Sequence, residues 1–469
     1  MERLSYWNCS VQAVKRWIPE PFSMVTLSNP ARFSQPGGQI MPSAEVCAVA
    51  ARIVHDVVAQ GRSLEMAAKK HLNTIPTRRI SETREIAWGA LRWWHRYQGV
   101  LSRQLHRPLR ARDRILESLL VCGLYQYDHL DEPDYAVTAS TVDAAALLGA
   151  PKATSLINAV LRSHLRAKTS TEPASDEELF ATPRWLLNAI RKAWPDQWSQ
   201  VLETANRKPP MTLRVNALQM PRDEYLKWLR QQGFSAQAST LSPWGVILDK
   251  PVSVAELPGF AAGKVSIQDA AAQMTPIFCQ PAQGTRVLDA CAAPGGKCTH
   301  LLEVYPQIKS LTALDRPGRT EAISDNLTRL GLTAKLIAGD VLQPETWWDG
   351  QLFDLIVLDA PCSGTGIMRR HPDIRHHRRA SDIITYARTQ AQMAARLWPL
   401  LAPGGQLLYI TCSVLPQEND GPLLELHRKH SGEKPEKPTV SGALTTELGN
   451  QFLPNEEHDG LYFASLFKD

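Results

Sequence analysis

Two cysteines lie shortly after apolar runs that have the pattern of buried strands. Cys362 stands in DAPCSGTG (359–366), and Cys412 stands in TCSVLPQEN (411–419). A lone cysteine is usually a small buried hydrophobic residue, an interpretation that suits Cys47, Cys122 and Cys279. Two cysteines at strand ends beside Asp359 indicate chemistry instead, because a thiolate is a natural nucleophile for an electron-poor ring carbon.

A third run, VLDACAAPGGK (287–297), joins a short apolar strand to a helix through a turn of small residues. Gly295 and Gly296 allow a turn that side chains would block, so a ligand can lie against main-chain N–H groups at the start of the helix. The run is neither the G-x-G-x-x-G dinucleotide fingerprint nor a Walker loop. The sequence therefore does not predict phosphate binding here.

Carboxylates follow the neighbouring apolar runs. Asp315 ends the second strand-like run, Asp340 ends the third and Asp359 ends the fourth. A carboxylate after the second strand can accept hydrogen bonds from a ribose diol, and strand ends at a switch point form the ligand crevice of an open α/β sheet. One such aspartate is more often a helix cap. Several in register with the glycine turn, counting Asp289 in the first strand, predict a cofactor site.

The patterning along the chain predicts several domains. Apolar residues recur at three- and four-residue spacing in 41–170, which indicates an all-α domain. A small α+β module is expected over 180–265, followed by strands alternating with helices over 266–469, the pattern of a parallel sheet. The tail 460–467 is expected to add an antiparallel strand. Residues 1–40 show no periodicity and are interpreted as a disordered leader, a targeting arm, or an over-long start that should begin at Met24 or Met41.

Composition excludes several classes of protein. Of 469 residues, 43% are hydrophobic and 21% charged, which is typical of globular domains. No apolar run approaches the roughly 18 residues that a membrane span needs. The eight cysteines contain no C-x-x-C pair, and no secretion signal is recognisable, so we expect no metal site and a cytoplasmic, reducing location. We expect a monomer.

The runs DACAAPGGK, DAPCSGTG and TCSVLPQEN, in this order, resemble the motifs of the Nol1/Nop2/Sun family of S-adenosylmethionine (SAM)-dependent RNA cytosine-5 methyltransferases. The resemblance covers 41–469. The helical front, with GLYQY (123–127) and LINAVL (156–161), resembles the NusB-like RNA-binding domain of the bacterial branch that acts on 16S ribosomal RNA. The implied fold is an all-α NusB-like domain, a small α+β module and a C-terminal Rossmann-like methyltransferase domain.

The resemblance implies SAM as cofactor and 16S ribosomal RNA as partner. The residues that it places around SAM are Cys291, Ala292, Ala293, Pro294, Gly295, Gly296, Lys297, Asp315, Asp340 and Asp359. It assigns 291–297 to the methionine part, Asp315 to the ribose, Asp340 to the adenine, and Asp359 to the boundary between cofactor and target base.

The same resemblance assigns the chemistry. Cys412 would attack C6 of cytosine, Asp359 would contact N3, and Cys362 would assist release of the product. DNA cytosine-5 methyltransferases attack with the cysteine of the Pro-Cys motif, so the presence of both cysteines favours RNA. Lys297 would favour the thiolate or orient the base; alternatively, it makes a cap contact at the loop. The target cytosine must leave its stack to be reached.

Two basic stretches suit an RNA partner. Ten arginines lie between Arg78 and Arg114, interleaved with tryptophans, and a second cluster occupies 368–379 beside the Pro-Cys motif. We interpret the first as phosphate contacts, with a solvated charged face as the alternative, and the second as a clamp on the substrate backbone. Two alternative functions stay open: the same chemistry on transfer RNA, and a non-catalytic NusB-like RNA-binding factor.

Overall fold

The computed structural model describes residues 43–105, 107–167, 173–430 and 440–469. The expectations for residues 1–40 lie outside these ranges. The chain divides into two compact units. One contains Asn188–Arg370 and Arg378–Asp469, and the other contains the described residues up to Leu187 together with His371–His377. Each unit is described by itself.

The second unit is built from helices, as the apolar spacing predicts. They are α1 (Ala44–Val58), α2 (Leu64–His71), α3 (Ile80–Arg92), α4 (Trp94–Gln104), α5 (Arg114–His129), α6 (Asp134–Leu147), α7 (Thr154–Ala167) and α8 (Asp176–Leu179), with α9 (Arg184–Ala193) crossing the unit boundary. Val49, Ile53 and Val57 recur on one face of α1 and are buried in the core of this unit. Ser63 accepts a hydrogen bond from the Met66 amide and starts α2, because an N-cap side chain satisfies an otherwise unpaired N–H.

A short segment that lies between two catalytic motifs in the sequence belongs to the helical unit. His371–His377 ends in the one-turn helix α15 (Ile374–His377). Asp373 Oδ2 accepts a hydrogen bond of 3.1 Å from the Leu64 amide at the start of α2. The buried Arg375 donates to the carbonyl oxygens of Arg92 and Ala181, each at 2.9 Å.

The first unit begins with α10 (Trp198–Asn206) and a small α+β module. Its antiparallel strands are β1 (Met211–Val215), β2 (Ala236–Ala238), β3 (Gly245–Leu248) and β4 (Val265–Ile267), in the order β2-β3-β1-β4, with α11 (Arg222–Gln231) between β1 and β2 in the chain. Leu213, Tyr225 and Val246 lie in its buried core. The predicted α+β module is confirmed.

The larger sheet of this unit has eight strands in the order β10-β11-β12-β9-β8-β5-β6-β7. They are β5 (Arg286–Ala290), β6 (Ser310–Asp315), β7 (Lys335–Ala338), β8 (Phe353–Asp359), β9 (Leu401–Thr411), β10 (Leu444–Thr445), β11 (Gly449–Phe452) and β12 (Leu461–Phe467). β5 to β9 are parallel. The associated helices are α12 (Thr275–Phe278), α13 (Gly296–Val304), α14 (Thr320–Leu330), α16 (Ala380–Leu397) and α17 (Asp420–His430).

The strand order fixes where a ligand can bind. From β5 the chain adds β6 and β7 on one side and then continues with β8 on the other side of β5. The strands β5 and β8 therefore flank the switch point, where the crevice of an open α/β sheet lies at the carboxyl ends. The predicted final strand is present as β12, which pairs antiparallel with β9 and, together with β11 and β10, forms an antiparallel edge of the sheet. In the described ranges, no helix is long and apolar enough to cross a membrane.

Candidate active site

The parallel pairing of β8 with β9 brings the two predicted cysteines together. Asp359 at the end of β8 lies opposite Ile410 of β9. Cys412 follows β9 directly, and Cys362 follows β8 three residues later. Their Sγ atoms are 3.3 Å apart. The two thiols therefore belong to one site.

Main-chain hydrogen bonds hold the two cysteine segments against each other. The Ala360 amide donates to Ile410 O, and the Gly366 amide donates to Cys412 O, both at 2.9 Å. A Cβ atom at position 366 would lie 2.2 Å from Gly460 O and 2.8 Å from Cys412 O. Glycine is needed at this position because the backbones approach too closely for a side chain.

Exposure and charge distinguish the two thiols. Cys412 is partly exposed, whereas Cys362 is buried. The hydrogen bond with Cys362, reinforced by burial, raises the pKa of the Cys412 thiol well above its usual range, while the positive charge of Lys297 acts in the opposite direction. Because only the thiolate is a strong nucleophile, Cys412 must lose its proton as it attacks.

Lys297 and Asp359 form an ion pair beside these thiols. Lys297 is the second residue of α13, and its Nζ lies 2.6 Å from Asp359 Oδ2. Burial favours a lower pKa for Lys297, but the negative charges of Asp359 and Asp289 outweigh it, so the pKa is raised and the ammonium stays protonated. Asp359 keeps a third of its surface exposed and is open to a further ligand.

The glycine turn has the backbone conformation that its small residues suggest. Gly295, the residue before α13, has φ +99°, and Cys291 has φ +64°. α13 starts without a side-chain cap. The first N–H groups of a helix have no partner within the helix and readily bind a ligand with negative or polar groups.

Carboxylates stand at the ends of the next two strands. Asp315 Oδ2 accepts a hydrogen bond from the Ala293 amide, and its Oδ1 accepts one from the Arg316 amide, each at 2.7 Å. Asp340 Oδ1 accepts a hydrogen bond of 2.9 Å from the Leu342 amide, two residues further along the chain, so it stabilises the turn after β7 and does not cap a helix. Asp315 is buried, and its Oδ1 also lies 3.3 Å from Arg319 Nη1. A carboxylate oxygen can accept more than one hydrogen bond, so a ligand hydroxyl would share these oxygens with the protein donors.

Asp289 differs from the other strand-end carboxylates. It lies within β5 and is fully buried. Burial, with the negative charge of Asp359 adding to it, raises the pKa of Asp289 to about 8. Asp289 was predicted to lie in the crevice with the other carboxylates. Because it is fully buried, it is not exposed at the surface of the crevice.

Arg214, in the segment LRVN (213–216), was not among the predicted site residues. Arg214 in β1 is buried and forms an ion pair of 2.8 Å with Glu303 in α13. Arg214 Nη1 also donates to Gly296 O at 2.6 Å and to Gln268 Oε1 at 2.7 Å. The small module thereby braces the glycine turn. An arginine within an apolar strand could have indicated this role, because a buried charge needs a buried partner.

The prediction for the second basic stretch needs correction. Arg369 and Arg370 pair with Asp459, Arg370 also pairs with Asp269 at 3.0 Å, and Arg375 is buried in the helical unit. The predicted substrate clamp at 368–379 is therefore wrong for these arginines, because acidic partners and main-chain carbonyls already hold them.

The arginines of the first stretch differ in exposure. Arg92 is buried, and Arg103 pairs with Glu178 at 2.7 Å. Those with exposed side chains outside such pairs include Arg78, Arg107, Arg110 and Arg114. These four exposed arginines are accessible to phosphates.

Comparisons with known proteins give the family. Residues 276–467 match the sequence model described as 16S rRNA methyltransferase RsmB/F, residues 182–255 match the ferredoxin-like domain of RsmF/B-like methyltransferases, and residues 47–166 match the NusB family. Ribosomal RNA small subunit methyltransferase B of Vibrio vulnificus is 40% identical over 428 residues, covering 90% of this chain and 99% of its own.

The chain belongs to the 16S rRNA methyltransferase RsmB/F family. The probable ribosomal RNA small subunit methyltransferase B of Coxiella burnetii is 41% identical over 82% of this chain and 91% of its own. Like these relatives, the protein is a SAM-dependent RNA methyltransferase, and the predicted NusB-like, α+β and Rossmann-like architecture is confirmed. The alternative of a non-catalytic RNA-binding factor is wrong.

Solved structures share the fold over most or part of this chain. The crystal structure of PH0851 covers 94% of this chain and 100% of its own, with a TM-score of 0.73 at 21% identity, and shows the fold alone. A methyltransferase homolog from Pyrococcus horikoshii is 26% identical and has a TM-score of 0.53, covering 62% of this chain and 97% of its own.

The residues of this RsmB/F chain fit SAM. Carboxylates at the ends of β6, β7 and β8 supply acceptors for hydroxyls and negative charge near a sulfonium, and the uncapped start of α13 supplies N–H donors. Among the predicted residues, Asp315 and Ala293 are joined directly, and so are Lys297 and Asp359. Glu418 lies in the third motif, TCSVLPQEN, but was not among the predicted site residues.

Proposed function

We propose that this methyltransferase modifies C5 of a cytosine in 16S ribosomal RNA, with Cys412 as the nucleophile. The observation that carries the proposal is the pair of thiols 3.3 Å apart at the ends of β8 and β9, beside the Lys297–Asp359 ion pair. An adjacent pair of thiols suits a reaction in which one sulfur attacks and the other acts on the adduct. The names of the relatives at about 40% identity support ribosomal RNA rather than transfer RNA.

In the first step the Cys412 thiolate attacks C6 of the cytosine. The S–C6 bond forms, and the electron pair of the C5–C6 double bond moves to C5 as N3 takes up a proton that Asp359 relays from the Lys297 ammonium, 2.6 Å away. Cys412 is the partly exposed thiol of the pair, so a base turned out of its stack can reach it. Bound SAM supplies an electrophilic methyl group.

In the last step the C5 proton leaves and the S–C6 bond breaks, so the C5–C6 double bond is restored. Cys362 lies within hydrogen-bonding distance of Cys412 Sγ. We assign it to this step, as the base for the C5 proton or as its helper. Its burial keeps it from attacking the ring first. Lys297 favours the Cys412 thiolate through its positive charge.

We infer the remaining assignments from the same residues. Cys291 to Lys297 hold the methionine part of SAM, Asp315 the ribose and Asp340 the adenine. Residues 41–170 bind RNA, 180–265 support the glycine turn, and 266–469 carry out catalysis, a division that the matched ranges 47–166, 182–255 and 276–467 support. We also infer a monomer that works in the reducing cytoplasm.

Bisulfite sequencing of 16S ribosomal RNA tests the proposal. One cytosine protected from conversion in the parent strain should become convertible when the gene is deleted. The wild-type gene should restore protection, and a gene encoding Cys412→Ala should not. A deletion that leaves every 16S position unchanged but removes a protected cytosine from transfer RNA would contradict the substrate assignment.

A further inference from the structure

We propose that Glu418 is the positioning residue that sets the distance between the Cys362 and Cys412 thiols. Glu418 lies near the end of the third motif, six residues after Cys412, and it is fully buried. The inference rests on the proposed function of the two cysteines and adds the residue that keeps their Sγ atoms at the observed spacing.

One carboxylate joins the residues that follow the two cysteines. Glu418 Oε1 accepts a hydrogen bond of 2.7 Å from the Ser363 amide, and Oε2 accepts one of 2.5 Å from the Ser363 hydroxyl. Oε2 also accepts a hydrogen bond of 2.7 Å from the Ser413 hydroxyl. Each thiol is thus attached by one peptide bond to a residue held by the same side chain.

Hydrogen bonds from other residues hold both the main chain and the carboxylate of Glu418. Tyr409 of β9 donates its hydroxyl to Glu418 O at 2.6 Å. Gln390 of α16 donates to Pro361 O at 2.9 Å, beside Cys362, and approaches Glu418 Oε1 at 3.5 Å. Glu418 is therefore held by β9 and α16 while it contacts both cysteine segments, and it has little freedom to follow a displaced segment.

Burying a carboxylate is costly unless its oxygens are hydrogen-bonded. Burial raises the pKa of Glu418, and the hydrogen bonds from Ser363 and Ser413 work against that rise. A leucine or methionine would fill the same volume at lower cost. We infer that the carboxylate is there because it accepts from both serines at once, which an apolar side chain cannot do.

Main-chain bonds also join the two segments, so Glu418→Ala must be tested for more than loss of stability. Asp420 offers a control, because this carboxylate accepts hydrogen bonds from the Tyr462 hydroxyl at 2.5 Å and the Leu448 amide at 3.0 Å, whereas Glu418 accepts from Ser363 and Ser413. Asp420→Asn should lower the melting temperature without changing the site. Glu418→Gln keeps the shape of the side chain and one acceptor oxygen. It replaces Glu418→Ala in the experiment if the alanine variant does not fold.

The first readout is independent of activity. Phenylarsine oxide condenses with two adjacent thiols, forming two As–S bonds and releasing one water, and it binds single thiols weakly. The full-length wild type and Asp420→Asn should bind one tight equivalent that Cys362→Ala removes. Glu418→Ala should lose this equivalent, and Glu418→Gln should bind it more weakly. Full retention by a folded Glu418 variant would overturn the proposal.

The second readout is the split between kcat and KM with 16S ribosomal RNA. Glu418→Ala should lower kcat by about 10²-fold, the effect of displacing a reacting group by about an ångström, with KM for RNA unchanged. Equal kcat in Glu418→Ala and Asp420→Asn would overturn the positioning role. If Cys412→Ala stayed active while the arsenical results held, the proposed function would fail and the thiol-spacing role of Glu418 would stand.

Discussion

Lys297 Nζ lies 2.6 Å from Asp359 Oδ2, which joins the first turn of α13 to the end of β8. The pair therefore connects the turn assigned to SAM with the carboxylate assigned to the base. Lys297 also places a positive charge near Cys412. Its removal should affect the nucleophile as well as the carboxylate.

Lys297→Met should move the pH dependence of methylation to higher pH. The positive charge lowers the pKa of Cys412, which burial and Cys362 raise, so its loss raises that pKa further. Less thiolate is then present at any given pH, and the rising limb of the rate profile shifts upward. Lys335→Met, at an exposed lysine on β7, should leave the profile unchanged. An unshifted profile for Lys297→Met would show that this lysine does not act on the thiol.

Asp315→Ala should weaken SAM binding by roughly 10- to 100-fold, the range expected for losing about 1.5–3 kcal/mol from a hydrogen bond to a charged group. The carboxylate holds the Ala293 amide at 2.7 Å and is assigned to the ribose. Isothermal titration calorimetry measures the change, with the exposed Asp325→Ala on α14 as control. Unchanged affinity would remove the ribose assignment.

Arg214→Met should destabilise the unit that contains Asn188–Arg370 by about 3–5 kcal/mol, because it leaves the buried Glu303 carboxylate without its partner. The ion pair is 2.8 Å long and both side chains are 1% exposed. Urea unfolding followed by tryptophan fluorescence measures the loss. The double variant Arg214→Met/Glu303→Met should recover most of it, and a double variant as unstable as the single one would contradict this explanation.

Exchanging the exposed arginines of the helical unit should reduce the salt dependence of RNA binding. Each phosphate contact that is lost lowers the slope of log K against log salt, because fewer counterions are released. The variant replaces Arg78, Arg107, Arg110 and Arg114 by alanine, and the control replaces Lys335 and Lys429. Filter binding at several salt concentrations decides between the alternatives. An unchanged slope would leave these arginines as a solvated charged face.

Much of the fold was predictable because its elements follow local patterns. Helical spacing predicted the all-α domain in which α1 to α7 lie, and short apolar runs predicted β5 to β9. The sequence did not predict β10 and β11 because both are short. Whether such a segment forms a strand depends more on the neighbouring strand it pairs with than on its residue types. The order of strands in the sheet is likewise a tertiary property.

The site was predictable where motifs end strands, and unpredictable where side chains meet across the chain. Cys362 and Cys412 are 50 residues apart yet lie 3.3 Å from each other. Arg369 and Arg375 were misinterpreted because a basic run resembles an RNA contact in the sequence, and only the structure places Asp459 and main-chain carbonyls against them. Arg214 and Glu418 were not predicted because the role of a buried ionisable residue depends on its hydrogen-bond partners. These partners, Glu303 and Ser363, are distant in the sequence.

The central claim is that Cys412 attacks and Cys362 releases. Each variant is incubated with SAM and radiolabelled 16S ribosomal RNA and then run on a denaturing gel. Cys362→Ala should accumulate a protein–RNA complex that resists denaturant, because attack and methylation proceed while elimination is slow. Cys412→Ala should form no complex and transfer no methyl group. A trapped complex with Cys412→Ala and none with Cys362→Ala would contradict the assignment and reverse the two roles.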